Sequence, residues 1–163
     1  MTADEIRTHI RYSHWASRRL MDAALKLSEE ELHRDLKVSH GTLIGTLGHI
    51  HFADRIWYSR TVDPSIKVYM PSDALSPAQI DSEWSDVQKR WEAWADALAD
   101  PDLARVVSYK LLNGNPGETP VCQIVMHLVN HATLHRGQAM AMLRQLGAAP
   151  PATDLIQYYR QQK

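Results

Sequence analysis

The chain has 163 residues, and its 44% hydrophobic and 23% charged content is typical of one globular domain, here residues 1–163. Its 18 Lys and Arg residues against 19 Asp and Glu residues give a formal net charge of -1, a balance that argues against disorder and against a general nucleic-acid binder. The unusual count is 9 histidines, in a chain with a single cysteine and a single phenylalanine.

The expected cellular compartment is inferred from features that the sequence does not show. Because Cys122 is the single cysteine, the chain forms neither an internal disulfide nor a thiolate-based zinc site. The first residues are charged and do not resemble a secretory signal. The uncharged runs 38–53 and 119–135 are shorter than the roughly 20 residues of a membrane span. We therefore expect a cytoplasmic protein that binds no membrane.

Helix starts and ends are well marked. Candidate N-caps and stop signals stand at Thr2–Glu5, Ser76–Pro77, Thr119–Pro120 and Gly147 with Pro150–Pro151. They predict four long helices and one short C-terminal helix, over 2–27, 40–60, 76–99, 119–146 and 153–161. No strand alternation, repeat or interdomain linker accompanies them. Four amphipathic helices in a chain of this length predict an all-α four-helix bundle.

Three histidines form a row on the predicted fourth helix. His127, His131 and His135 follow one another at i, i+4 spacing and therefore share one side of the helix. On a helical wheel His135 lies about 30° from the centre of the apolar arc, His131 about 70° and His127 about 110°. The pattern places His131 and His135 toward the core and His127 near its border.

Two inward imidazoles at HxxxH spacing have two interpretations. They either form hydrogen bonds to carboxylates or hydroxyls across the bundle, or they bind one metal ion together, as in helical zinc motifs. A third ligand from another helix would favour the metal.

The predicted second helix offers that third ligand. His49 and His51 are two residues apart, so that at most one of them joins an interior site. The wheel leans slightly to His51, about 80° from the apolar centre, over His49, about 120° away. Asp54 lies near the centre of the same arc, where a carboxylate needs a partner such as a ligand histidine or Arg136.

These residues resemble the DinB superfamily, also called the DinB/YfiT-like metalloenzymes. The family pattern is a His followed by an acidic residue at +5 and an aromatic residue at +8, then HxxxHRGQ on the fourth helix. This chain has His49, Asp54 and Trp57, and then 131–138 reads HATLHRGQ. Segments 12–20, 27–32 and 153–158 extend the similarity over nearly the whole chain.

The resemblance implies a four-helix bundle that holds a divalent metal through His49, His131 and His135. The +5 and +8 spacing fits only from His49, so His51 becomes a surface residue or a neighbour that supports the ligands. His127 is expected either to be structural or to support the ligands in the same way. Three neutral imidazoles leave a coordination position open and accept Zn²⁺ or Ni²⁺.

The family's characterised branches imply thiol chemistry. The leading hypothesis is a metal-dependent S-transferase, or a thiol-dependent isomerase, that brings a low-molecular-weight thiol to a small electrophile. The catalytic group is then a metal-bound water or a substrate thiolate, with support from Arg136 and Asp54. One alternative is a hydrolase using metal-bound hydroxide, and another is a non-catalytic, stress-linked metal-binding dimer. Family members commonly form homodimers, and no nucleic-acid partner is expected.

Two further features carry structural expectations. Trp84, Trp91 and Trp94 lie at helical spacing and are expected in the core or in a dimer interface. Gly137 in mid-helix costs about 1 kcal/mol relative to Ala, which suggests that another helix or a ligand approaches closely there.

Overall fold

The computed structural model describes residues 1–38 and 40–162, and helices dominate them. The helices are α1 (Ala3–Ala24), α2 (Glu29–Leu32), α3 (Leu43–Thr61), α4 (Pro77–Asp96), α5 (Val121–Gln145) and α6 (Leu155–Gln161). Two 3-10 turns, Pro71–Asp73 and Asp100–Ala104, and two short strands, β1 (Val106–Lys110) and β2 (Pro116–Pro120), complete the described elements. The predicted all-α fold is confirmed, with α1, α3, α4 and α5 as its long helices.

The four long helices pack as a bundle in which α4 and α5 each contact both α1 and α3. The centre is filled by large apolar side chains, among which Trp84 is 0% and Trp91 1% exposed. Both indoles are therefore core residues. Trp94 is half-buried and packs edge-on against Trp91 with ring centroids 5.1 Å apart. Of the described helices, none is long and apolar enough to cross a membrane.

Capping side chains set the helix starts. Complete capping boxes form at Thr2 and at Ser76, as the sequence predicts. The start of α3 was predicted three residues too early, because the Thr42 hydroxyl caps the helix by accepting a hydrogen bond from the Gly45 amide at 2.9 Å. At α5 the N-cap is Pro120, which makes no side-chain cap hydrogen bond, so Thr119 is not the cap.

The antiparallel hairpin of β1 and β2 contradicts the expectation of no strands. Its register runs from Val106 opposite Pro120 to Lys110 opposite Pro116. The sequence of β2, PGETP, contains residues that are depleted in strands, which is why its pattern predicts a loop. The hairpin is held to α3 by an edge-to-face contact between Tyr109 and Trp57, with ring centroids 5.0 Å apart.

Candidate metal centre

Facing sides of α3 and α5 bring the three predicted histidines together. The Nε2 atoms of His49 on α3 and His131 on α5 are 2.9 Å apart. The ring centroid of His135, one turn further along α5, lies 4.5 Å from that of His49 and 4.4 Å from that of His131. The contact between α3 and α5 thus joins residues that are more than 80 positions apart in sequence.

A fourth imidazole, which the sequence reasoning left outside the site, also belongs to this cluster. His40 stacks on His49 with ring centroids 4.0 Å apart and planes at 21°, and meets His135 edge-on at 5.1 Å. One ligand nitrogen from each of His40, His49 and His135 lies within 4.8 Å of the other two. These three histidines therefore form a group that could hold a metal ion.

The two possible groups of three share His49 and His135 and differ in their third member, His131 or His40. Nitrogens that bind one tetrahedral zinc ion at 2.0–2.1 Å lie about 3.3 Å apart. The 2.9 Å between His49 and His131 is slightly shorter than this spacing, and the 4.8 Å limit of the other group is longer. In the group with His40, all three ligand nitrogens lie within 4.8 Å of one another in the structure as it stands.

Burial lowers the pKa values of three imidazoles of the cluster, those of His40, His49 and His131. Desolvation, aided by the neighbouring His40 and His135, lowers the pKa of His49 from 6.5 to about 4. Desolvation and the adjacent histidines lower the pKa of His131 further, to about 3. The pKa of His40 is lowered as well, again mainly by burial. Near pH 7 these rings are neutral and keep a nitrogen lone pair, which is the form that binds metals.

The orientation of His135 is fixed by a neighbour in the HRGQ segment. Its Nδ1 lies 2.8 Å from Oε1 of Gln138, one turn further along α5. Because an amide oxygen only accepts, Nδ1 is the donor of this bond, and in the neutral tautomer that fits it the lone pair is on Nε2. Metal-binding histidines are commonly oriented in this way by a hydrogen bond to their second nitrogen.

His51 and His127 lie beside the cluster rather than in it. His51 is 2% exposed, and its Nε2 has no hydrogen-bond partner among the described residues. Its ring is 6.4 Å from the rings of Tyr69 and Trp84. His127 is exposed, and its ring packs between Trp57 at 5.5 Å and His131 at 5.7 Å.

Asp54 is buried in the bundle and accepts a hydrogen bond from the Trp84 indole at 2.6 Å. Burial raises the pKa of its carboxyl group, while His14, the Trp84 hydrogen bond and Arg136 oppose this rise. Of the two partners expected from sequence, only Arg136 acts on it, and by charge rather than by an ion pair among the described contacts. No spacing pattern in the sequence links Asp54 to Trp84, which lies on α4.

Arg136 follows His135 directly but points to α1. Its Nη1 donates to the Ser13 hydroxyl at 3.0 Å and to the Ser17 hydroxyl at 3.3 Å. The guanidinium also lies 5.3 Å above the ring of Tyr12. Only 2% of the residue is exposed, so it connects α5 to α1 inside the bundle.

Known proteins resemble this chain along most of its length. Residues 2–163 match the DinB family. Protein DinB of Bacillus subtilis (strain 168) is 28% identical over 155 residues, which cover 88% of this chain and 87% of that protein. The crystal structure of a DinB-like protein from Bacillus cereus ATCC 10987 superposes with a TM-score of 0.68 at 24% identity, covering 93% of this chain and 97% of that chain. This structural likeness shows a shared fold.

Proposed function

Because the chain belongs to the DinB family, we propose that it is a metal-dependent enzyme whose divalent ion is held by His49, His131 and His135. The observation that carries the proposal is the close approach of these three imidazoles between α3 and α5. Zn²⁺ or Ni²⁺ held by these three histidines would have a coordination position left for a substrate and would lower the pKa of a thiol or water bound there.

The reaction that we propose is transfer of a low-molecular-weight thiol to a small electrophile. With a chlorinated aromatic acceptor, the thiol sulfur forms a bond to the ring carbon, chloride leaves with the electron pair, and the thiol proton passes to solvent. In a thiol-dependent isomerisation the thiol would be released again at the end. The single cysteine, Cys122, lies at the start of α5, about three turns before the ligand pair. The reacting sulfur is therefore brought in by the substrate.

Arg136 and Asp54 support this site by position. Both are buried, and their polar atoms bind side chains of α1 and α4 instead of facing the imidazoles. In this proposal they hold α5 and α3 in place, so that His135 and His49 stay within reach of each other.

Metal content tests the ligand set. Wild-type protein, His40→Ala, His49→Ala, His131→Ala and His135→Ala are dialysed against zinc, and the bound metal is measured by elemental analysis and by competition with a chelating dye. We expect one equivalent in the wild type and at least a tenfold lower affinity in the variants at positions 49, 131 and 135. His127→Ala is the matched control, because this exposed imidazole lies one turn before His131.

His40→Ala distinguishes the two groups of three. Retained metal supports the proposed set, whereas loss at position 40 combined with retention at position 131 shows that His40, His49 and His135 are the ligands. If every variant keeps one equivalent, the cluster is not the metal site.

Turnover tests the reaction. Zinc- or nickel-loaded protein is incubated with 1-chloro-2,4-dinitrobenzene and a panel of thiols that includes glutathione, bacillithiol and mycothiol, with chelated protein as the control. Metal-dependent loss of the thiol supports transfer. Metal-dependent hydrolysis of activated esters without any thiol reaction supports the hydrolase alternative. Metal binding that raises the melting temperature without either reaction supports a structural, non-catalytic metal.

We also propose that the protein is a cytoplasmic homodimer that pairs through its bundle helices. Support comes from Leu134 on α5, a large apolar side chain that is 63% exposed. Light scattering of Leu134→Glu should then show monomers, while Leu112→Glu, at a comparably exposed leucine in the hairpin, stays dimeric. A monomeric wild type would contradict the proposal.

A further inference from the structure

His40 is the member of the histidine cluster that comes from a turn rather than from a long helix. Its ring stacks on that of His49 with centroids 4.0 Å apart and meets the ring of His135 at 5.1 Å. One ring nitrogen from each of these three histidines lies within 4.8 Å of the other two. The proposed site uses three other members of the cluster, so that His40 is a fourth imidazole beside it.

The main chain of the turn determines where the His40 side chain starts. The His40 carbonyl oxygen accepts the Thr42 amide hydrogen at 2.7 Å. The same oxygen lies against the first turn of α3, since a Cβ atom at Gly45 would stand 2.6 Å from it. Gly41 between them has a φ of +68°, in the left-handed region that favours glycine. The turn thus presents His40 to the cluster through its backbone.

The ring of His40 is held less firmly than that of His135. Nδ1 of His135 lies 2.8 Å from Oε1 of Gln138. Among the described residues, the His40 ring has its ring contacts to His49 and His135 and no hydrogen bond. His40 is also half-buried and stands before a helix, and connecting segments move more readily than the elements that they join. Its imidazole is therefore the one of the cluster that can leave without moving a bundle helix.

The turn places His40 beside a cavity of about 480 Å³. Within the cluster, His40 and His49 line this cavity. The rest of its wall is largely apolar and comes from the first half of α3, the segment 69–75 and the start of α4. A coordination position taken by His40 therefore borders the cavity and becomes accessible from it when the ring moves away.

We propose that His40 is a displaceable fourth ligand, which binds the metal ion in the substrate-free protein and gives up its place to the thiol. The inference rests on the proposed function, in which His49, His131 and His135 hold the ion. Four nitrogens complete the tetrahedral coordination that is usual for zinc in closed sites. His40 thus closes the site at rest, and its departure leaves the open position that a catalytic zinc requires.

The exchange of His40 for the thiol is balanced without a further reactant. The thiol releases its proton to solvent, and its sulfur forms a bond to the ion. The bond between the ion and His40 breaks, and the electron pair returns to the imidazole nitrogen. Nothing is oxidised or reduced in this step. A soft, anionic thiolate is a favoured ligand of zinc, so it can replace a neutral imidazole.

Nuclear magnetic resonance of the histidine ring nitrogens tests the exchange without any turnover, because the shift of each nitrogen distinguishes a metal-bound atom from a free one. Zinc-loaded full-length protein is measured alone, with 2-mercaptoethanol, and with 2-(methylthio)ethanol, a matched thioether that forms no thiolate. We expect a metal-bound His40 nitrogen in the protein alone and with the thioether. With the thiol the His40 nitrogen becomes free, while the other three ligands stay bound.

A His40 nitrogen that is free without thiol, or that stays bound once the thiol saturates the ion, would overturn the proposal. These wild-type spectra decide it even where a variant does not fold.

Thiol affinity gives a second measure, read from the sulfur-to-metal charge-transfer absorption of cobalt-loaded protein. A ligand that fills the position in about nine of ten molecules weakens thiol binding about tenfold, and His40→Ala should regain this factor. His33→Ala, at an exposed histidine that also lines the cavity, is the matched control and should bind the thiol as the wild type does. Unchanged thiol affinity in His40→Ala would contradict the proposal.

Failure of this inference is distinct from failure of the proposed function. Exchange of His40 for the thiol without any turnover of an electrophile supports the fourth ligand and contradicts the enzyme. Thiol transfer by a protein whose His40 nitrogen is never metal-bound does the reverse.

Discussion

At the residue scale, His135 differs from an ordinary core histidine because its second nitrogen has a defined partner. Nδ1 lies 2.8 Å from Oε1 of Gln138, which fits the neutral tautomer that has its lone pair on Nε2, the form that binds a metal through this atom. The same hydrogen bond restricts rotation of the ring. The HRGQ segment thus supplies both a ligand and the residue that orients it.

Replacing Gln138 by leucine removes this hydrogen bond. Gln138→Leu should lower zinc affinity about 10- to 100-fold, the usual effect of losing a partner that orients a ligand. Affinity is measured by competition with a chelating dye, and urea unfolding checks that the fold persists. Gln123→Leu, at an exposed glutamine of the same helix, is the matched control. Wild-type affinity in Gln138→Leu would show that His135 needs no such orientation.

The histidines of the cluster that lie on helices could be predicted from the sequence, whereas the one that precedes a helix could not. His131 and His135 follow from helical spacing, and the family motif selects His49 over His51 against the slight lean of the wheel. In the structure His49 lies in the cluster, and His51 lies beside it with 2% of the residue exposed. His40 lies before the Thr42 N-cap, where no helical periodicity applies, so its place beside His49 depends on the tertiary fold.

At the element scale, α3 shows why periodicity alone left its ligand undecided. The helix packs against α4 and α5 and also contacts β1. Its buried residues accordingly include polar ones, His51, Asp54 and Arg55, together with apolar neighbours such as Ile50. A helix that is covered on several sides has no clear polar face. The helix positions in the chain were predictable, but the hairpin was not, because β2 consists largely of residues that are depleted in strands.

Within the helices and strands, replacing two glycines by alanine is expected to change the stability of the protein in opposite directions. A Cβ atom at Gly137 would meet no described atom within 4 Å, so the expected close approach is absent from the described chain. At Gly117 a Cβ atom would lie 2.8 Å from Cε2 of Tyr109. Gly137→Ala should therefore stabilise the protein by about 0.5–1 kcal/mol, through the higher helix propensity of alanine.

Gly117→Ala is the counterpart and should destabilise the protein by about 1–3 kcal/mol, because the added methyl group displaces the Tyr109 ring from its contact with Trp57. The free energy of unfolding in urea measures both changes. If Gly137→Ala is destabilising instead, we expect a second copy of the chain to contact this exposed part of α5. Light scattering of the variant would then show that the dimer has dissociated.

At the scale of the whole molecule, burial in the bundle disfavours the protonated form of three histidines. Three imidazoles, those of His49, His51 and His131, are buried deeply enough for their pKa values to fall to about 4, 4 and 3. In each case desolvation is the main cause. The bundle therefore stabilises neutral rings, and protonating them without unfolding is unfavourable.

These lowered pKa values predict how the stability of the metal-free protein depends on pH. In the unfolded chain these histidines take up a proton near their ordinary pKa of 6.5, whereas in the folded chain they resist protonation down to about 4 or 3. The unfolded state therefore binds more protons between these values, and the free energy of unfolding falls as the pH is lowered through this window. Above pH 6.5 both the folded and the unfolded state hold these rings neutral, so the free energy of unfolding no longer changes through them.

Urea unfolding of chelator-treated protein between pH 7.5 and 5 measures this slope above the range in which ordinary carboxylates titrate. His51→Phe and His131→Ala should each flatten the slope, since each removes a group that charges only on unfolding, and Gln123→Leu should leave it as in the wild type. An unfolding free energy that stays constant from pH 7.5 to 5 would show that these imidazoles are solvated in the folded protein, and would remove the reason for their neutrality at the metal site.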